Sequence, residues 1–200
     1  MFGHRKTTKS TAMRLLGRCI FDLTFGGEDR QVPPSWAVNS VNAAIEAGIV
    51  PEAMQSRYTQ ATTRAEYCAL AVALYETITG TEITGRVQFT DTNALNVQKM
   101  GDLGIVFGVG DGRFAPDQKL AREQAATMLA RLAAAIGKPL LTQSATFADS
   151  VNVSSWAAEA VGQMQADIMG GVGNNTFAPL DDYTREQSIA TMLRLYDMLK

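Results

Sequence analysis

The chain has 200 residues, 46% of them hydrophobic and 19% charged, with a net charge of −2, one histidine and two cysteines. It is too apolar for a disordered chain and too acidic for a dedicated nucleic-acid binder. It is also too poor in His and Cys for a structural zinc site or for a Ser-His-Asp or Cys-His catalytic centre. No run of 18 apolar residues occurs, so no transmembrane helix is expected, and nothing in the composition calls for a cofactor or metal.

Residues 1–27 lack the periodicity of the rest of the chain. Residues 1–30 carry six Lys/Arg against three acids, while 31–200 carry twelve against seventeen. This segment reads as a basic, poorly ordered leader rather than a nucleic-acid arm, and it contains His4 and Cys19. It is not a convincing secretory signal, because Arg18 and Asp22 interrupt the apolar stretch after Arg14. The other cysteine, Cys68, sits among Ala69, Leu70, Ala71 and Val72 and reads as a small buried hydrophobe.

Three units occupy 28–87, 88–145 and 146–200. Each reads as helix, turn, helix, and Gly, Thr, Pro and Ser mark the connectors. In unit one the first helix is expected after Ser35, with Ala37, Val41, Ala44, Ile45 and Ile49 on one face; unit three repeats this after Ser155, with Ala157, Val161, Met164 and Ile168. The second helices open at Thr63-Arg64-Ala65-Glu66, Ala121-Arg122-Glu123-Gln124 and Thr184-Arg185-Glu186-Gln187. Two of these read as capping boxes. Ala121 in the cap position costs about 1 kcal/mol. The stripes after them (Leu70, Val72, Ala73, Leu74; Ala126, Leu129, Leu132, Ala133; Ile189, Met192, Leu193, Leu195, Tyr196) are expected core. Between the helices of unit two lies Gly108-Val109-Gly110-Asp111-Gly112-Arg113-Phe114-Ala115-Pro116; unit three has Gly171-Val172-Gly173-Asn174-Asn175-Thr176-Phe177-Ala178-Pro179. Phe to Arg is eight residues in both, and nine residues past each Arg stands another, Arg131 and Arg194. Unit one has no such glycine turn. The glycines are explained by positive φ alone, and no Lys-Ser/Thr stands at phosphate-loop spacing after them.

The series Phe-x-Asp, Ser-Trp-Ala, Gly-x-Gly-Asp-Gly-x-Phe-x-Pro and Thr-Arg-x-Glu/Gln resembles the S-layer homology module, strongly in units two and three and less in unit one. The resemblance implies an all-α fold: three repeats in a pseudo-threefold spindle around a central helical bundle. It also implies non-covalent anchoring at a bacterial cell surface by binding anionic, pyruvylated secondary cell-wall polysaccharide in grooves between units. The chain would act as a monomer or as part of a larger surface protein. The family's anion-holding arginine maps onto Arg64, Arg122 and Arg185. Each stands just after a helix cap, where free N–H groups favour an anion and a guanidinium can grip a carboxylate twice.

Trp36 and Trp156 either stack on a sugar ring or fix the helix start in the core. Asp29, Asp91 and Asp149 either cap the next turn or helix or bond to the ligand. Asp111 and Gly112 offer a side chain and an approachable backbone, and Asn174 and Asn175 alter that contact in unit three. Two other readings compete. A glycoside hydrolase needs only two carboxylates roughly 5–10 Å apart, drawn from Asp111, Asp117, Glu123, Asp149, Asp181, Asp182 and Glu186; its mark is a raised pKa on one buried carboxyl facing another. A protein-interaction module would show an exposed apolar patch beyond the arginines.

Overall fold

The computed structural model describes residues 32–165 and 167–200. The leader expected over 1–27, with His4 and Cys19, and Asp29 beyond it lie outside the described residues. Among the described residues the regular structure is all helical: α1 Val38–Glu46, α2 Arg64–Thr79, α3 Leu95–Asp102, α4 Arg122–Ala135, α5 Ala158–Met164 and α6 Arg185–Leu199. The long helices α2, α4 and α6 pack on one another. Each short helix lies not on its own unit's long helix but on the preceding one: α3 on α2, α5 on α4, and α1 around to α6. Unit one thus closes onto unit three.

The expected stripes supply the core. Leu70, Leu74, Leu129, Leu132, Met192 and Leu195 are wholly buried, and Ala73, Leu193 and Tyr196 are half-buried at its margin. Burying one such large side chain contributes roughly 1.5–3 kcal/mol. Cys68 is a free thiol among them, and burial pushes its pKa up to about 12, so it is inert packing.

The three long-helix starts are tied together by a closed ring of backbone hydrogen bonds. The Thr62 N–H donates to Tyr183 O at 2.7 Å, Tyr183 N–H to Leu120 O at 2.9 Å, and Leu120 N–H to Thr62 O at 2.9 Å. The three residues each stand two places before the motif arginine, so the repeat register in the sequence becomes a ring in space. The ring sits in the interior: Thr62 and Leu120 are fully buried and Tyr183 nearly so.

Some local expectations change. At Thr63 the full capping box forms, with Glu66 N–H on the hydroxyl at 3.2 Å and Thr63 N–H on the carboxylate at 2.9 Å. At Thr184 the Gln187 arm forms at 3.3 Å, but the hydroxyl is buried without a partner. Ala121 has the same reach-back arm from Gln124 at 3.2 Å. Neither Ser35 nor Ser155 caps a helix. The first turns open on the carbonyls of Pro34 and Ser154, which accept from Ala37 and Ala157 N–H, and α5 stops at Met164, short of Ile168.

Candidate functional site

Each glycine turn is held by a carboxylate from earlier in its own unit. Asp91 accepts from Phe114 and Ala115 N–H at 2.7 and 2.8 Å; Asp149 accepts from Phe177 and Ala178 N–H at the same distances. The second residue of each pair is left-handed, with Ala115 at φ 59° and Ala178 at φ 56°, a conformation costing roughly 1–2 kcal/mol for a non-glycine residue. The bidentate carboxylate holds that residue in place. Around Asp149, partial burial works against ionisation, but the N–H groups of Phe177, Ala178 and Asp149 itself, with the Arg122 charge, together outweigh it and the pKa is lowered. Gly108 and Gly171 are required at the turn because a Cβ there would meet Arg113 O at 2.6 Å or Thr176 O at 2.8 Å. Asp149 is therefore positioned by its turn, and Asp111 and Gly112 sit at the exposed tip of the other one.

The motif arginines reach forward into the next unit. Arg64 Nε and Nη2 donate to Phe114 O and Phe107 O, both at 3.0 Å, with the guanidinium 4.4 Å from the Phe114 ring centroid. Arg122 Nε and Nη2 donate to Phe177 O at 2.7 Å and Gly170 O at 2.9 Å, over the Phe177 and Tyr183 rings. Arg185 closes the circle, donating to Ser56 O at 3.0 Å and ion-pairing with Glu66, its Nε buried without a partner. All three are buried, and burial lowers the pKa of Arg64 and Arg122 from the ordinary arginine value.

The helix N-termini beside them are not free. The N–H groups of Arg64 and Ala65 bond to Gln118 O and Pro116 O, those of Arg122 and Glu123 to Asp181 O and Pro179 O, and those of Arg185 and Glu186 to Gln60 O and Tyr58 O. The expected anion-attracting amides are thus taken up by the neighbouring unit's loop, because the interlock needs the same donors.

A groove with a cavity volume of about 380 Å³ runs between α6 and the turn of unit three, lined by Trp36, Arg122, Gly170, Glu186, Ala190 and Arg194 among others. Of the expected site residues, this groove gathers Trp36 and Arg122; Arg64, Arg185, Trp156, Asp111, Gly112 and Asp149 are not on its wall. Trp36 and Trp156 are 55% and 56% exposed, so neither is a core residue. Arg194 is exposed and donates one bond, to Ile168 O at 3.0 Å. No described hydrogen bond uses Arg122 Nη1.

Sequence alone assigns Arg194 no role. The signal was the spacing Glu186, Ala190, Arg194, which puts an acid, a small residue and a cation along one face of α6 at four-residue steps. Among the described residues, Glu186 is the single carboxyl on the groove wall. Burial raises its pKa, against its own backbone N–H and the nearby Thr184 hydroxyl. A hydrolase would need a second carboxyl facing it.

This is a helical repeat protein whose units interlock through buried arginines and leave a polar groove with an aromatic rim. Residues 90–126 and 146–187 match the S-layer homology domain. Such domains anchor proteins to the cell wall and bind its polymers. The chain is 33% identical over 129 residues to an amylopullulanase of Thermoanaerobacterium thermosulfurigenes, which covers 60% of this chain and 7% of that protein. It is 33% identical over 103 residues to an endoglucanase of Bacillus sp. (strain KSM-635), which covers 48% of this chain and 11% of that protein. The chain therefore spans a small part of either relative. Among the described residues no helix is long and apolar enough to cross a membrane.

Proposed function

We propose that the chain is a non-covalent anchoring module for an anionic, pyruvylated cell-wall polysaccharide at a bacterial surface, with unit one as a third, diverged S-layer homology copy in a spindle-like arrangement. The observation that carries this reading is the open groove. It sets an exposed guanidinium, Arg194, beside the partly committed Arg122, with the exposed ring of Trp36 at its edge. An acid group takes the two guanidinium groups, and a sugar face takes the indole. Arg64 and Arg185 act in this reading mainly by holding units together, and Trp156, Asp111 and Gly112, which lie off the groove wall, are not part of this site. The single carboxyl on the groove wall favours binding over hydrolysis.

The test is retention of the purified chain on pyruvylated and de-pyruvylated polysaccharide, with released reducing ends assayed in the same tubes. Pyruvate-dependent retention that is lost in Arg194→Ala, with no sugar released, is expected. Equal retention on both polymers, or release of reducing ends, would overturn the reading.

A further inference from the structure

The two acids that stand directly after motif arginines, Glu123 and Glu186, occupy the same place in their units but not the same chemistry. The Glu123 carboxylate accepts from Ser154 N–H at 2.9 Å and Ser154 Oγ–H at 2.8 Å, which joins α4 to the start of the next first helix. The position that would serve Glu186 is Pro34. It stands two residues before Trp36, as Ser154 stands two before Trp156, and its carbonyl opens the turn before α1 just as that of Ser154 does before α5. Helix α1 lies on α6 as α5 lies on α4. Proline has neither an N–H nor a hydroxyl to give. Glu186 is 5% exposed and its Oε2 is buried without a hydrogen-bond partner; the Thr184 hydroxyl stands close enough to hold its pKa down but forms no hydrogen bond of ordinary geometry.

An unpartnered buried carboxyl carries a desolvation penalty that any well-placed donor relieves. Glu186 lines the groove that also holds Arg122 and Arg194. We propose that Pro34 leaves the Glu186 carboxylate free to accept a hydrogen bond from the ligand, so that the groove selects sugars presenting a hydroxyl or amide N–H beside their acid group. This rests on the groove being the ligand site. Glu186 is then a specificity-determining residue, and Pro34, through it, a positioning one.

The test compares full-length Pro34→Ser, Glu186→Ala and Arg194→Ala with the parent chain for affinity to pyruvylated cell-wall polysaccharide, and for thermal stability. Pro34→Ser restores the internal donors that Glu123 enjoys. It is expected to weaken binding about tenfold while raising the unfolding temperature. Glu186→Ala is expected to weaken binding to a similar degree without loss of stability. If Arg194→Ala abolishes binding while Pro34→Ser and Glu186→Ala bind as tightly as the parent, the inference about Glu186 is overturned and the groove stands. If Arg194→Ala also binds unchanged, the groove reading itself fails.

Discussion

The junction entered by Arg64 and the junction entered by Arg122 are built on one plan and differ in what stands over the outer arginine. In the first, Phe107 stands immediately before the glycine turn, with the Arg131 guanidinium 4.8 Å from its ring centroid. In the second, Gly170 holds that place, and a Cβ added there would meet nothing within 4 Å. Arg194, which matches Arg131, therefore has no ring over it and borders a groove. Both junctions keep their arginine staple and carboxylate-clamped turn. The scaffold and the groove thus vary independently, because the staple uses backbone carbonyls while the groove depends on the side chain that stands at 107 or 170.

The largest test of that separation is Arg122→Ala. It strips donors from the Phe177 and Gly170 carbonyls and should cost on the order of 3–5 kcal/mol in urea unfolding. Arg194→Ala, removing an exposed group, should cost less than about 1 kcal/mol by the same measurement. Equal losses would erase the distinction between staple and rim. Next in size, Gly170→Phe should copy the first junction and lower polysaccharide affinity tenfold or more with little change in stability. The reverse change, Phe107→Gly, should add a second binding site detectable as a higher stoichiometry in calorimetry.

The acids give opposite pH signatures. Asp149 has a lowered pKa, so the stability it contributes is present above the ordinary aspartate value of 3.8 and is lost as pH falls through the lowered one. Asp149→Asn should flatten the acid limb of a stability-against-pH curve. Glu186 has a raised pKa, so its contribution is most favourable below 4.5 and is lost as pH rises through the raised value. Glu186→Gln should therefore unfold at a higher temperature than the parent at pH 7, and no difference there would argue that the carboxyl is already satisfied. The smallest effect concerns Ala121, where Thr63 and Thr184 stand in the sister units. Ala121→Thr should gain about 1 kcal/mol at most in chemical denaturation, and less if the new hydroxyl stays unpartnered, as that of Thr184 does.

Much of this was legible in the sequence. The three Arg-centred helix starts, the glycine turns at equal spacing and the apolar stripes after Arg64, Arg122 and Arg185 are local patterns, and local patterns fix helices and turns through periodicity and backbone sterics. The all-α class is a consequence of them. The sequence also placed Asp91 and Asp149 near their turns, though not as clamps on an N–H pair more than twenty residues away. It misassigned the helix-start amides, because the carbonyls that occupy them come from a different unit.

What the amino-acid order determined by itself was the repeat, its register and its kinds of residue. What only the tertiary structure decided was which unit each element serves. The short helices pack one unit back, the arginines reach one unit forward, and unit one completes unit three. Hence Glu186 has Pro34, more than 150 residues away in sequence, at the place where Glu123 has Ser154, and Gly170 opens a groove floored by an arginine from another unit. Spacing along a chain carries no information about such pairs, because their proximity is set by the packing of three helices around a common ring of hydrogen bonds.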